Sequence, residues 1–169
     1  IWYSERTSTG WAEPQWVEAP VSSGEEGMQI SVAGDGTLLF DSGRGEDRLH
    51  IYYAELVRGK HLTPVRFPAP INDESQTSDP FIAPDKSYLL FTRQVPEGKG
   101  GLDIYVSFRR TDGSWGKPMN LGDSINTPDH EAFPVVSPDG KYLFFVRSMN
   151  HGDIYWVDAK IIDELRPRS

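Results

Sequence analysis

The strongest constraint on the fold is a motif that recurs along the chain about every 50 residues. Many residues between positions 72 and 93 recur 54 positions later. The matched pairs include Asn72 and Asn126, Pro80 and Pro134, Pro84 and Pro138, Asp85 and Asp139, Tyr88 and Tyr142, Phe91 and Phe145, and Arg93 and Arg147. A weaker copy lies upstream, in residues 34–40 and 50–52. A period of this length predicts a repeat protein.

Each copy has the pattern of short β-strands separated by tight turns. Residues 133–137 and 142–146 are largely aromatic or aliphatic without a helical period, and the turn sequence Ser137-Pro138-Asp139-Gly140 separates them. Pro, Asp and Gly favour the backbone conformations of such a turn. A further strand is predicted at residues 153–158. Three or four antiparallel strands in each copy predict one blade of a β-propeller.

The copies divide the chain into an all-β array of about three four-stranded antiparallel blades, half of a six-bladed ring. Residues 1–25 are expected to form the outer strands of a preceding blade, residues 26–72 and 73–126 two blades, and residues 127–158 a blade without its outer strand. Residues 159–169 are expected to form a short helix, capped by Asp158, and a tail. Because Ile1 lies inside a strand pattern, we expect part of the natural protein to precede it.

Composition excludes some classes of partner. The formal net charge is −8 and the pI is about 4.9, which argues against a nucleic-acid or anionic-membrane surface. There are no cysteines, so disulfides and Cys-ligated metals are excluded. No apolar run approaches the 18 residues of a membrane span, and membrane insertion is not expected. No cofactor is predicted.

The repeated motifs resemble those of a known family. The motifs at residues 113–118, 120–122, 125–126, 137–141 and 153–155 resemble the WD40-like (PD40) repeats of TolB-type β-propellers. The resemblance implies six blades in a full-length chain, and often an envelope or secreted setting and protein–protein contacts. It implies no single function.

A ligand of a propeller usually meets the loops around its central channel, and we predict the site there. The candidates share a place at the ends of inner or second strands. They are Arg44, Arg93, Arg147, Asn72, Asn126, Asp79, His130 and Glu131. Because Arg93 and Arg147 are equivalent, they would ring the channel mouth and bind an anionic ligand or a partner carboxylate. Alternatively, each arginine pairs with a nearby acid, such as Asp79 or Glu131, and fixes the contact between blades.

Two other groups have alternative interpretations. Asp129-His130-Glu131 could supply metal ligands or acid–base groups, and His130 could approach His151, but the interpretation as a strand-entry turn is favoured and no metal or catalytic residue is predicted. Trp11 and Trp115 share a repeat position and are expected to pack. Trp16 and Trp156 have no counterpart and are candidates for exposed stacking.

Three functions fit this architecture. The favoured one is a non-catalytic module that binds a protein or small polar ligand at the channel face. The others are a carbohydrate-active hydrolase or lyase, by fold analogy, and a purely structural fragment. An arc of three blades leaves two apolar faces bare, each of roughly several hundred Å². We therefore expect a homodimer that completes a six-bladed ring.

Overall fold

The computed structural model describes residues 1–22, 26–44, 48–73, 75–148 and 152–167. Its strands form antiparallel sheets, and the described part of the chain has a single short helix. The expected all-β class is confirmed. No helix in these ranges is long and apolar enough to cross a membrane.

The N-terminal segment is a long, interrupted hairpin. Its strands are β1 (Trp2–Tyr3), β2 (Arg6–Thr7), β3 (Gly10–Trp11) and β4 (Gln15–Trp16). β1 pairs with β4, and β2 pairs with β3. We call β1 and β4 the N-terminal pair.

Three blades follow. The first blade has the order β5-β6-β7-β10, the second β11-β12-β13-β14 and the third β15-β16-β17. The strands of the first blade and its outer hairpin are β5 (Glu26–Val32), β6 (Leu38–Ser42), β7 (His50–Ala54), β8 (Leu56–Val57), β9 (Lys60–His61) and β10 (Val65–Arg66). Those of the second are β11 (Thr77–Ile82), β12 (Tyr88–Arg93), β13 (Asp103–Phe108) and β14 (Met119–Asn120). Those of the third are β15 (Glu131–Val136), β16 (Tyr142–Arg147) and β17 (Asp153–Asp158).

The turns between the first two strands of each blade are fixed by aspartate side chains. Asp35 accepts the Thr37 N–H at 3.0 Å, and Asp85 accepts the Ser87 N–H at 2.9 Å. Asp139 accepts the Lys141 N–H at 3.2 Å, and Gly140 adopts a φ of 73° beside it. These are local turn contacts of the kind that Asp and Gly favour.

The blades pack face to face through apolar cores. We call the face that a blade turns toward the next blade in sequence its leading face. Leu39 and Ile51 on the leading face of the first blade pack with Leu89 and Phe91 of the second. Leu90, Ile104 and Val106 on the leading face of the second blade pack with Leu143 and Phe145 of the third. The same packing therefore repeats from blade to blade.

A short helix, α1 (Lys160–Glu164), follows β17. The prediction that Asp158 caps a helix over residues 159–165 is wrong in detail. Ala159 holds the capping position without a side-chain cap, and Asp158 is the last residue of β17. The Asp158 carboxylate still accepts the Lys160 N–H at 2.9 Å. Ile162 of α1 is buried in the core between the second and third blades.

Candidate functional site

The first strands of the three blades meet at a common inner edge. β11 contacts both β5 and β15. The Gln29 amide of β5 donates to the carbonyl oxygens of Pro80 in β11, at 3.4 Å, and of Pro134 in β15, at 3.2 Å. One side chain thus joins the inner strands of all three blades, which marks the position of the propeller axis.

Asn72 and Asn126 lie at the loops that lead into β11 and β15, and both are buried. The Asn72 Oδ1 accepts the Ile51 N–H at 3.1 Å, while its amide donates to the Ile51 carbonyl at 2.7 Å. Asn126 makes the same two bonds with Ile104, at 2.8 and 2.9 Å. Each amide thereby ties its loop to the second residue of the third strand in the preceding blade. The polar atoms of both side chains are engaged with that backbone.

The three predicted arginines occupy one repeated setting. Each lies at or just after the end of a second strand. Arg44 and Arg147 lie over aromatic rings of the second and third strands, and Arg93 lies over one ring of the third strand. The shortest of these contacts is 4.6 Å, from the Arg147 guanidinium carbon to the Tyr155 ring centroid. A guanidinium over an aromatic face is attracted by the ring quadrupole. Phe145 and Tyr155 stack below Arg147 with centroids 5.9 Å apart.

Each arginine also contacts the loop that precedes its blade. Arg44 donates to the Val21 carbonyl oxygen, and Arg147 donates to the Ile125 carbonyl oxygen at 2.9 Å. Arg93 pairs with the Asp73 carboxylate. The arginines thus hold successive loops onto the aromatic stacks.

Glu131 is fully buried at the start of β15. Its carboxylate accepts the Thr127 N–H at 2.9 Å, the Thr127 hydroxyl at 2.6 Å and Arg147 Nε at 2.9 Å. His130, one residue earlier, is exposed, and its ring lies against Gly101. A Cβ placed on Gly101 would come within 2.2 Å of the His130 ring. His151 lies outside the described residues.

Asp79 sits in a bulge of β11 and lies between neighbouring blades. Its φ is 51°, and Phe133 has a φ of 55° in the corresponding bulge of β15. The Asp79 carboxylate accepts the Thr92 hydroxyl at 2.8 Å and the Phe133 N–H, while its own N–H donates to Asp41 at 3.3 Å. Burial, with a further contribution from the Asp41 carboxylate, raises the pKa of Asp79 to about 6.

The predicted site residues therefore lie around the inner ends of the blades. Their polar atoms are engaged with neighbouring loops and blades of the same chain. Within the described ranges, no three His, Asp or Glu side chains are grouped closely enough to hold a metal ion. Sequence reasoning missed Gln29 and Asp41. Neither belongs to the recurring motif, and the hydrogen bonds of both side chains join different blades.

Both ends of the arc expose aromatic side chains. Trp156 and Ile154, on the leading face of the third blade, are 62% and 73% exposed. Their equivalents in the second blade, Val106 and Ile104, are completely buried against the third. At the other end, Trp2 and Trp16 are exposed and meet edge to face, with ring centroids 5.3 Å apart.

The shared inner edge and repeated interblade cores define a β-propeller. No known family model and no curated protein matches the sequence. Among solved structures, the chain is similar to putative TolB from Agrobacterium tumefaciens, with 19% identity and a TM-score of 0.56 over 89% of this chain and 50% of that one. It also matches TolB from Acinetobacter baumannii, with 18% identity and a TM-score of 0.48 over 76% of this chain and 31% of that one.

The Agrobacterium structure shows that the chain has the fold of a TolB-type β-propeller, as its motifs predict. The chain spans about half the length of that structure and about a third of the Acinetobacter one.

Proposed function

We propose that the chain is a non-catalytic propeller module that works by binding protein, and that its first partner is a second copy of itself. The observation that carries the proposal is the bare leading face of the third blade. Phe144, Ile154 and Trp156 are exposed there, at positions that are buried in the second blade. A contiguous apolar face of this kind marks an interface.

The N-terminal pair, at the opposite end of the arc, offers a matching apolar surface. Trp2 and Trp16 lie on the side of the N-terminal pair that faces away from the first blade, while Ile1 and Val17 pack onto that blade. A two-fold axis would place the leading face of each copy against the N-terminal pair of the other. Two such contacts close a ring of six blades with an N-terminal pair at each of the two junctions, and closed two-fold assemblies are the commonest oligomers.

The acidic side chains near the inner edge favour a structural role over a catalytic one. Asp79 has the raised pKa of a candidate acid, but its carboxyl is almost completely buried and bonds to Thr92 and Phe133. Glu131 is likewise buried among its own donors. We propose that Asn72, Asn126 and the three arginines hold the blades together there, and that a partner or small polar ligand meets the exposed rim around His130.

Replacing Ile154 by arginine is expected to weaken self-association by about 100-fold or more, because an unpaired charge would be buried in an apolar contact. Sedimentation equilibrium of the wild-type and variant chains measures this. Val57→Arg is the matched control, since Val57 is also exposed but lies on the outer hairpin of the first blade. A wild-type chain that stays a folded monomer at micromolar concentration would refute the homodimer, as would equal dissociation constants for the two variants.

The family resemblance alone also leads us to propose a periplasmic or secreted location. Fractionation of cells that make the protein, with an antibody against this chain, tests the location. Recovery with the cytoplasmic fraction would contradict it.

A further inference from the structure

A cavity of about 470 Å³ lies in the groove between the first and second blades. Its walls include Leu39 and Tyr53 from the first blade, Phe67 from the loop after β10, and Trp115 from the hairpin that follows β13. Trp115 and Phe67 meet edge to face, with centroids 5.5 Å apart. We call this cavity the interblade pocket. Its volume lies within the range of about 300–1,000 Å³ that is typical of small-molecule sites.

The equivalent groove one blade further on is filled by the chain itself. Leu39 and Tyr53 are paired across β6 and β7, as Leu90 and Val106 are across β12 and β13. Leu90 and Val106 share a core with Ile162 of α1. The groove between the second and third blades thus holds an apolar side chain where the interblade pocket is open. The walls of the interblade pocket are apolar and aromatic, so the apolar part of a ligand can pack against them.

The mouth of the interblade pocket carries positive charge. Arg109, Arg110 and Lys86 line it, with Glu55 as the one acid among its lining residues. Lys86 is engaged with the Asp35 carboxylate and with the Thr37 hydroxyl at 2.9 Å. The hydrogen bonds of the two arginines go to neutral groups: Arg109 donates to the Gly113 carbonyl at 3.3 Å, and Arg110 donates to the Ser114 hydroxyl at 3.5 Å. Arg110 is also attracted by the exposed Asp112 carboxylate, without a direct ion pair.

Neither Arg109 nor Arg110 has a carboxylate within ion-pair distance among the described residues. Two guanidinium groups that are free of direct ion pairs in this part of the chain therefore lie beside an apolar cavity. Guanidinium groups bind carboxylates through paired, charge-assisted hydrogen bonds.

We propose that the interblade pocket binds a small amphipathic carboxylate. The apolar or aromatic body lies against Trp115 and Phe67, and the carboxylate is bound by Arg109 and Arg110. This site lies away from the propeller axis and from the bare end faces, so it does not depend on ring closure.

The experiment is a titration with 4-phenylbutyrate, followed through the indole N–H signals of the five tryptophans by NMR. The matched probes 4-phenylbutan-1-ol and 4-phenylbutylamine have the same body without the negative charge. We expect 4-phenylbutyrate to shift the Trp115 signal, assigned with Trp115→Phe, and to bind more tightly than the alcohol and the amine.

Arg109→Gln combined with Arg110→Gln is expected to weaken 4-phenylbutyrate binding by about 10-fold or more, because both charge-assisted bonds are lost. Both residues are exposed, so the variant should fold, and an unchanged indole spectrum without ligand verifies this. Arg6→Gln, on the N-terminal hairpin, should leave binding unchanged. The proposal is overturned by shifts confined to the indoles of Trp2, Trp16 and Trp156, by equal affinity for the three probes, or by no binding.

Discussion

Replacement of Glu131 by alanine is expected to lower the free energy of unfolding by about 3–5 kcal/mol. The Glu131 carboxylate is fully buried and accepts three hydrogen bonds, two from Thr127 and one from Arg147. Its removal leaves the Arg147 Nε and the Thr127 N–H without their acceptor. Breaking a buried pair costs far more than its net attraction, because the remaining charge stays desolvated. Urea unfolding monitored by far-ultraviolet circular dichroism measures the change.

The matched control for this prediction is Asp163→Ala in α1. Asp163 and Arg166 form an ion pair at 3.1 Å, but both side chains are substantially exposed. An exposed pair contributes about 0–1 kcal/mol, so this variant should unfold at nearly the wild-type urea concentration. Glu131→Gln keeps the shape and removes the charge, and it should fall between wild type and Glu131→Ala. If Glu131→Ala costs no more than Asp163→Ala, the buried pair does not stabilise the entry to the third blade.

The sequence predicted the strands well because their signals are local. Apolar runs such as residues 142–146 and turn residues such as Asp139 and Gly140 act within a few positions of the backbone that they shape. The repeat then added information that single strands lack, since equivalent residues occupy equivalent places in neighbouring blades. Asp158 shows the limit of local reasoning, because it satisfies the pattern of a helix cap but ends β17.

The candidate site was less predictable because repetition shows that a position matters without showing which way its side chain faces. Asn72 and Asn126 recur in register, yet their amides fold back onto the third strands. The sequence left open whether Arg93 and Arg147 bind a ligand or a neighbouring acid. The acid beside Arg147 is Glu131, one of the two suggested, whereas the acid beside Arg93 is Asp73.

Tryptophan packing shows the same limit in another form. Trp11 and Trp115 do share a hairpin position, opposite Arg6 and Arg109 respectively. Trp115 packs on Phe67, but Trp11 is 70% exposed. The side chain is the same, and the difference lies in what the neighbouring blade presents to it. That contact is between distant parts of the chain, so no local pattern encodes it.

Raising the pH from about 4 to 7 is expected to remove a stabilising contribution of about 2 kcal/mol from Asp79. Burial raises the pKa of Asp79 from its usual value of 3.8 to about 6 in the folded protein. The folded state therefore binds this proton more tightly than the unfolded state does. The contribution is complete below pH 3.8, and it is lost as the pH rises through 6, where the buried carboxyl ionises beside Asp41.

Asp79→Asn isolates this contribution, because asparagine has nearly the same shape and does not titrate. The free energy of unfolding of Asp79→Asn, relative to wild type, should rise by about 2 kcal/mol between pH 4 and pH 7. The difference between the two proteins is the informative quantity. A hydrogen bond from Lys86 lowers the pKa of Asp35 to about 2, and a hydrogen bond from the Ser137 side chain lowers the pKa of Asp139 to about 2. Both ionised carboxylates stabilise the folded state, and that stabilisation is lost as the pH falls.

Asp85→Asn provides a control with the opposite sign. A hydrogen bond from the Ser87 side chain, with one from the Ser87 backbone, lowers the pKa of Asp85, so wild type gains stability over that variant as the pH rises. Asp85 is close to solvent, and the change should be small. Urea titrations at intervals of half a pH unit give both difference curves. A flat curve for Asp79→Asn would mean that Asp79 titrates alike in the folded and unfolded chains, and that its carboxyl is in contact with water at the junction of the blades.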